Sequence, residues 1–332
     1  MATTRLSDII YGPLFLPRVI ARIAELSTIR NSGIVSLDEQ IQEFANGPGN
    51  EIIMPFWNDL SGASNVSTDD PAQNATPNKL TMGQDQGRKI RRNNGWQSAN
   101  LVSSLLAEDP LEAVATLIAS YWDREEQTVL IQSLIGIFAS AGMAGNVLDV
   151  ASEDAASPVK FDAAVAADAY ALQGDMGGQL TGIMMHSRVF WNLHAARAIE
   201  YGKDPVTGLD FQRWDGKAVF VNDKCPNRAG TTSGRVYTSY LFGNGAIGYA
   251  EATGAGGPKR PVELDSKPEA GNGEGVETVW YRRHWVMHPR GVKFDPTLAG
   301  ESATNAELAD GANWSRVYDP KTIRMVAVET NG

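Results

Sequence analysis

Asp109-Pro-Leu-Glu-Ala-Val-Ala-Thr-Leu-Ile-Ala-Ser-Tyr-Trp122 opens the segment that decides the fold. Asp109 suits a helix cap, Pro110 the first helical position, and Glu112 completes a box-like start. Leu111, Val114, Ile118, Tyr121 and Trp122 recur on one stripe. A charged patch (Asp123, Arg124, Glu125, Glu126) follows, and then Val129, Leu130, Ile131, Leu134, Ile135 and Phe138. This spacing predicts one helix from Pro110 to Ala139, with the run closing near Gly142. At 1.5 Å per residue it is a rod of about 45 Å, far beyond an average helix. Val114, Ile118, Tyr121, Trp122, Leu134 and Phe138 are its expected core contacts.

Upstream, the chain reads as extensions. Residues 1–45 hold short amphipathic pieces, one behind Pro17 (Leu16, Val19, Ile20, Ile23, Leu26) and one from Leu37 to Phe44 with Ser36 as its cap. They form an arm with little core of its own. After the turn Asn46-Gly-Pro-Gly49, Glu51 to Trp57 reads as a strand, and Pro55 places it at an edge. Asn58 to Asn78 is rich in Ser, Asn, Asp, Ala and Pro. Lys79 to Ala99 returns as a polar, basic strand with Arg88, Lys89, Arg91 and Arg92. A lone hairpin is marginal in water, and this one finds no evident partner within its own chain.

Downstream lies a mixed lobe. Phe161 to Leu172 is a helix opened by Asp162 and stopped by Gly174. Leu180 to Met185 is a buried strand, and Ser187 caps a helix from Arg188 to Ile199. Asp215-Gly216 turns a hairpin within Asp210 to Pro226. Arg235 to Phe242 and Ala246 to Ala250 are strands, and Gly254 to Gly275 is a loop. Glu277 to Phe294 alternates strictly, with Val279, Tyr281, Arg283, Trp285 and Met287 on one face and Trp280, Arg282, His284, Val286 and His288 on the other. A tail from Thr297 ends in a strand, Ile323 to Val328.

The 332 residues, 42% hydrophobic and 20% charged, fit a folded protein with two lobes. A net charge of -10 excludes nucleic-acid binding over the whole surface, because that requires phosphates to be neutralised. The single cysteine, Cys225, cannot close an internal disulfide, so nothing points to an oxidising compartment. No signal peptide or membrane span is legible, since Pro13 and Pro17 break the first apolar stretch. A cytosolic protein is expected.

Chemistry is sparse. Gly243-Asn-Gly-Ala-Ile-Gly248 matches a dinucleotide fingerprint, but no helix follows to hold a pyrophosphate, so a glycine turn between strands is favoured. His284 and His288 would sit about 13 Å apart on a strand, too far to share an ion. Cys225 lacks a nearby base and is read as a buried thiol. Asp69-Asp70 and Glu125-Glu126 point apart along the chain. We therefore expect no catalytic residue, no metal and no cofactor. The basic run can meet either nucleic acid or an acidic neighbouring subunit.

The order of parts, together with Asp109–Trp122, Gly182-Ile-Met-Met-His-Ser-Arg-Val-Phe-Trp-Asn-Leu193 and Thr278-Val-Trp-Tyr-Arg-Arg-His-Trp-Val-Met-His-Pro-Arg-Gly291, resembles the major capsid proteins of tailed phages. The resemblance spans nearly the whole chain and implies an α+β, Hong Kong 97-like fold. Residues 1–45 would be the N-terminal arm and 46–99 the extended loop. Residues 100–154 and 271–322 would form the peripheral domain, with its spine helix at 110–139. Residues 155–270 and 323–332 would form the axial domain. It also implies self-assembly into hexamers and pentamers of an icosahedral shell around non-specifically held double-stranded DNA. Loop contacts with neighbours would come from Trp57, Asp59, Asp69, Asp70, Lys79, Arg88, Lys89, Arg91 and Arg92. A portal protein at one vertex is implied, and a decoration protein is allowed. The short stretch ahead of the arm suggests a separate scaffolding protein. Assembly would take place in the bacterial cytoplasm and the product would be the virion capsid. An encapsulin-like shell around protein cargo is the alternative, distinguished by the absence of genome-filled particles. A soluble oxidoreductase or hydrolase is the third reading, and ligand-dependent stabilisation would reveal it.

Overall fold

The computed structural model describes residues 34–99, 110–203, 210–270, 272–273, 275–296 and 300–332. Residues 1–33 of the expected arm, the Asp109 cap, and the side chains of Leu111 and Val114 lie outside the described residues. In chain order come β1 (Val35–Leu37), α1 (Glu39–Asn46), β2 (Glu51–Trp57), β3 (Met82–Ala99), α2 (Pro110–Ala139) and β4 (Val147–Asp149). Next are α3 (Ala163–Ala171), β5 (Leu180–Met185), α4 (Ser187–Ala195), β6 (Glu200–Lys203), β7 (Asp210–Trp214), β8 (Lys217–Val221), β9 (Asn227–Ala229) and β10 (Arg235–Gly243). The chain closes with β11 (Ile247–Glu251), β12 (Val262–Lys267), β13 (Val276–Pro289), β14 (Val292–Phe294), α5 (Asn305–Ala309), β15 (Trp314–Arg316) and β16 (Met325–Thr330).

The long helix α2 has the 30 residues its periodicity predicts. Ile118, Trp122 and Leu134 are fully buried, and Tyr121 and Phe138 pack partly buried against the same core. The helix lies on a sheet of order β1-β11-β13-β3-β2, with β12 also paired to β13. A second sheet runs β4-β16-β10-β5-β8-β7-β6, with β9 on β10. β14 and β15 make a small separate ladder. The core is continuous across the two larger sheets: Trp122, Leu134 and Trp285 share a cluster with Tyr240, Phe242 and Met325, and Phe138 stacks on Tyr240 at 5.5 Å.

Strand β13 shows the alternation expected of it. Val279, Tyr281, Arg283 and Trp285 are buried against the helix, and Trp280 is exposed. Beyond Trp285 both faces are covered, because α1 closes the far side with Ile41 and Ala45 against Val286. The hairpin turn Asp215-Gly216 has both residues at positive φ (49° and 72°), as a two-residue turn matched to strand twist requires.

Several expectations are corrected. The return strand β3 is not left without a partner. Its second half joins the sheet, pairing Val276↔Ala99 through Val286↔Lys89 with β13. The N-terminal region is not coreless from residue 34 on: β1 pairs in parallel with β11, and α1 buries Ile41 and Ala45. Ser36 lies in β1 opposite Gly248, so Asp38 caps α1 instead, accepting from Gln40 N at 2.9 Å. His186 rather than Ser187 caps α4, its Nδ1 accepting from Arg188 N at 3.0 Å, and that helix stops at Ala195. The glycine turn after β10 carries the chain from the second sheet to the first, so β11 belongs with β13. The Gly254–Gly275 loop contains β12, and the tail contains α5.

Candidate assembly surface

The ribbon's register is fixed by Glu51↔Arg88 through Trp57↔Met82. Strand periodicity then divides it into two faces. On one, Ile52 is 1% exposed, and Phe56 packs edge-on against Tyr318 with centroids 4.6 Å apart. Gly83 and Gly87 are required there, since a Cβ at Gly83 would meet the Phe56 ring at 2.3 Å and one at Gly87 would meet His288 Nδ1 at 2.9 Å. Asp85, itself buried, accepts from Gly291 N at 3.0 Å and lies 3.0 Å from His288 Nε2. This face seats the ribbon root on its own chain.

The other face has no such cover. Ile53 is 44% exposed, Trp57 64% and Met82 57%. Every residue from 59 to 82 is exposed, including Leu60, Val66 and Leu80. The tip is held by local bonds, such as Asn58 Nδ2 to Thr81 Oγ1 at 2.9 Å and Asn65 Nδ2 to Thr76 O at 3.2 Å. Asp59, Asp69, Asp70 and Lys79 all sit on this tip. Asp59 accepts from Leu60 N and Asp70 from Ala72 N.

The four basic residues do not form one patch. Alternation along β3 puts Arg88 and Arg92 on the helix side and Lys89 and Arg91 on the opposite side. Arg88 pairs with Glu51 across the ribbon, and Arg92 donates to Asn305 Oδ1 at 2.9 Å. Lys89 is not displayed on the ribbon as its sequence context suggests. It is 1% exposed and donates to the carbonyl of Gly47, the residue that closes α1, where a cation complements the helix dipole. Burial lowers the Lys89 pKa, with the nearby Arg91 adding to it. Arg91 lies opposite His284.

Sequence reasoning missed one buried network. Arg283, 2% exposed, meets Glu126 at 2.5 Å and Glu251 at 2.8 Å, and it donates to Tyr249 Oη at 2.9 Å. The signal was present: an arginine between Tyr281 and Trp285 on the apolar face of β13 demands buried carboxylates.

The candidate chemical motifs resolve structurally. His284 Nδ1 is 3.3 Å from Gly256 O, whereas His288 Nε2 lies 3.0 Å from Asp85 of β3, so the two histidines have separate partners. Cys225 is 2% exposed, and burial pushes its thiol up to about 12. Among the described residues no three His, Cys, Asp or Glu side chains gather to hold a metal ion, and no helix there is long and apolar enough to cross a membrane.

No protein-family model matches the chain. It is 39% identical to the major capsid protein of Bacillus phage SPP1 over 330 residues, covering 98% of both chains. The chain belongs to the phage major capsid protein family. Its fold agrees with solved phage heads. The capsid of Ralstonia phage GP4 superposes with a TM-score of 0.58 at 11% identity, covering 91% of this capsid protein and 90% of that chain. The capsid asymmetric unit of cyanophage Pam1 gives 0.56 at 13% identity, covering 92% and 93%. The Hong Kong 97-like architecture is therefore shared where sequence similarity has nearly vanished.

Proposed function

We propose that this capsid protein builds an icosahedral phage head from hexamers and pentamers, enclosing double-stranded DNA without sequence preference. It acts as a structural subunit, assembled in the bacterial cytoplasm with a separate scaffolding protein, a portal at one vertex and room for a decoration protein. The sheet under α2 serves as the peripheral domain with α2 as its spine, and the second sheet serves as the axial domain around the capsomer centre. Residues 1–45 act as an arm. The ribbon is the extended loop, and it reaches over an adjacent copy. The protein-cargo shell is set aside, since the similar proteins are phage capsids.

One observation carries this reading: a ribbon whose root is seated and whose outer face and tip display Ile53, Trp57, Leu60, Val66 and Met82 to solvent. The outer face and tip of this ribbon add little to the stability of their own chain and expose surface that only a partner can bury. Repetition by symmetry turns each modest contact into a stable shell. Removing residues 58–78 tests it. The shortened protein should remain soluble with an unchanged circular dichroism spectrum, while sedimentation and negative-stain microscopy find no shells. Shells at normal yield would overturn the assignment.

A further inference from the structure

Helix α4 opens on a histidine, a residue type outside the usual capping set. Ser, Thr, Asp and Asn are preferred there, because their side-chain oxygens remain acceptors at neutral and mildly acidic pH. At His186 (φ -69°, ψ 147°) the acceptor is Nδ1, 3.0 Å from Arg188 N. The second ring nitrogen, Nε2, lies 3.2 Å from Asn227 Nδ2 of β9. Arg235 Nη1 donates to Asn227 Oδ1 at 2.9 Å, which turns the amide nitrogen toward the ring. Both ring nitrogens therefore face N–H donors. A neutral imidazole accepts from one of them, and an imidazolium from neither. The side chain is 15% exposed and packs 5.0 Å from the Tyr237 ring of β10.

The surrounding charges point the same way. Arg188 and Arg235 are the neighbouring cations, and the first turn of α4 adds the positive end of a helix dipole. Asp223, in the loop after β8, opposes them from 4.0 Å, but its side chain is 74% exposed, so solvent screens the attraction. Its carboxylate already accepts from Ser187 N at 3.3 Å, and a hydrogen bond from the Ser187 side chain is the main cause that lowers the Asp223 pKa. Val189, Phe190 and Leu193 of α4 share the second hydrophobic cluster with Ile183, Leu241 and Val328. The helix start is thus tied to the packing of the second sheet. We propose that His186 is an acid-sensitive cap. Neutral, it closes the first turn of α4 and holds it to β9. As the imidazolium it gives up both contacts and loosens α4 from the second sheet. The folded chain loses these contacts on taking up the proton and the unfolded chain loses none, so stability falls as pH falls.

Urea unfolding of the unassembled full-length subunit at about pH 8 and about pH 5 spans the imidazole range and tests the cap. The chain has four histidines, so the compared proteins differ at this one alone. His284, its pKa lowered chiefly by burial, also weakens the fold in acid, and that loss is common to all of them. His186→Asn keeps a cap that does not titrate. On acidification the folding constant of the wild type should fall about fivefold further than that of His186→Asn. His186→Ala lacks the cap throughout. It should be about fivefold below His186→Asn already at the higher pH, with a gap that does not widen in acid. Parallel acid losses in the wild type and His186→Asn, or a widening gap for His186→Ala, would overturn the cap. Should His186→Asn fail to fold, hydrogen exchange of the wild type reads the same device. Corrected for intrinsic rates, protection in the first turn of α4 should fall about fivefold in acid. Helix α3, capped by Asp162, should keep its protection, and an equal loss in both helices would sink the proposal.

Discussion

Arg283 shows how one side chain links the elements. It projects from β13 into the layer below α2, where a guanidinium is tolerable only because Glu126 of the helix and Glu251 of β11 both reach it. Tyr249 adds a hydroxyl that donates to Glu126 at 2.9 Å. Replacing such a network by apolar groups can be neutral, but removing one member leaves buried charge uncompensated. Arg283→Ala should therefore cost about 3–5 kcal/mol in urea unfolding of the unassembled subunit, followed by tryptophan fluorescence. Arg283→Met combined with Glu126→Gln should cost clearly less. Equal losses from the two variants would show that packing rather than charge sets the penalty.

At the scale of elements, α2 is held against the tail by a close approach at Gly136. A Cβ there would meet Leu308 O at 2.1 Å and Trp314 Nε1 at 2.5 Å, the two atoms that already form a 2.8 Å hydrogen bond. Just beyond, Ser140 donates its hydroxyl to Trp314 O at 2.8 Å. By propensity alone, alanine in place of a mid-helix glycine stabilises by about 1 kcal/mol. At this position the clash reverses the sign. Gly136→Ala should destabilise by about 1–3 kcal/mol, read from the shift in denaturation midpoint, and any rise in the midpoint would contradict the packing described. Periodicity foretold the helix from Pro110 to Ala139 because apolar residues recur at helical spacing on both sides of the charged patch Asp123–Glu126. It could not foretell α5 or β12, whose five and six residues are too short to carry a period and take their form from neighbours.

Over the whole molecule, the two sheets are not independent folding units. The cluster around Trp122 and Trp285 runs on through Ile323 into Tyr240, Phe242 and Met325 of the second sheet. Asn146, just ahead of β4, ties the segment that follows α2 to the tail by donating to Met325 O at 3.0 Å and to Pro320 O at 3.1 Å. The unassembled subunit should accordingly unfold in a single calorimetric transition, with its van't Hoff and calorimetric enthalpies in agreement. Two resolved transitions would mean that the shared core does not couple the lobes. Stability thus resides in the joined cores. The ribbon beyond Trp57 lies outside them, with every residue from 59 to 82 exposed.

The linear chain by itself determined the long helix, the alternation of β13, the Asp215-Gly216 hairpin and the ribbon with its exposed tip. Each of these depends on residues close together in sequence, through periodicity, turn chemistry or an absence of apolar content. The tertiary structure alone decided which strands became neighbours: that β3 is half ribbon and half sheet, that β11 leaves the second sheet for the first, and that Lys89 is buried under α1 while Arg91, two residues on, is only half-buried. Those outcomes depend on pairing between segments far apart in the chain. A single strand's pattern records which of its faces is apolar, but not the partner that will cover it.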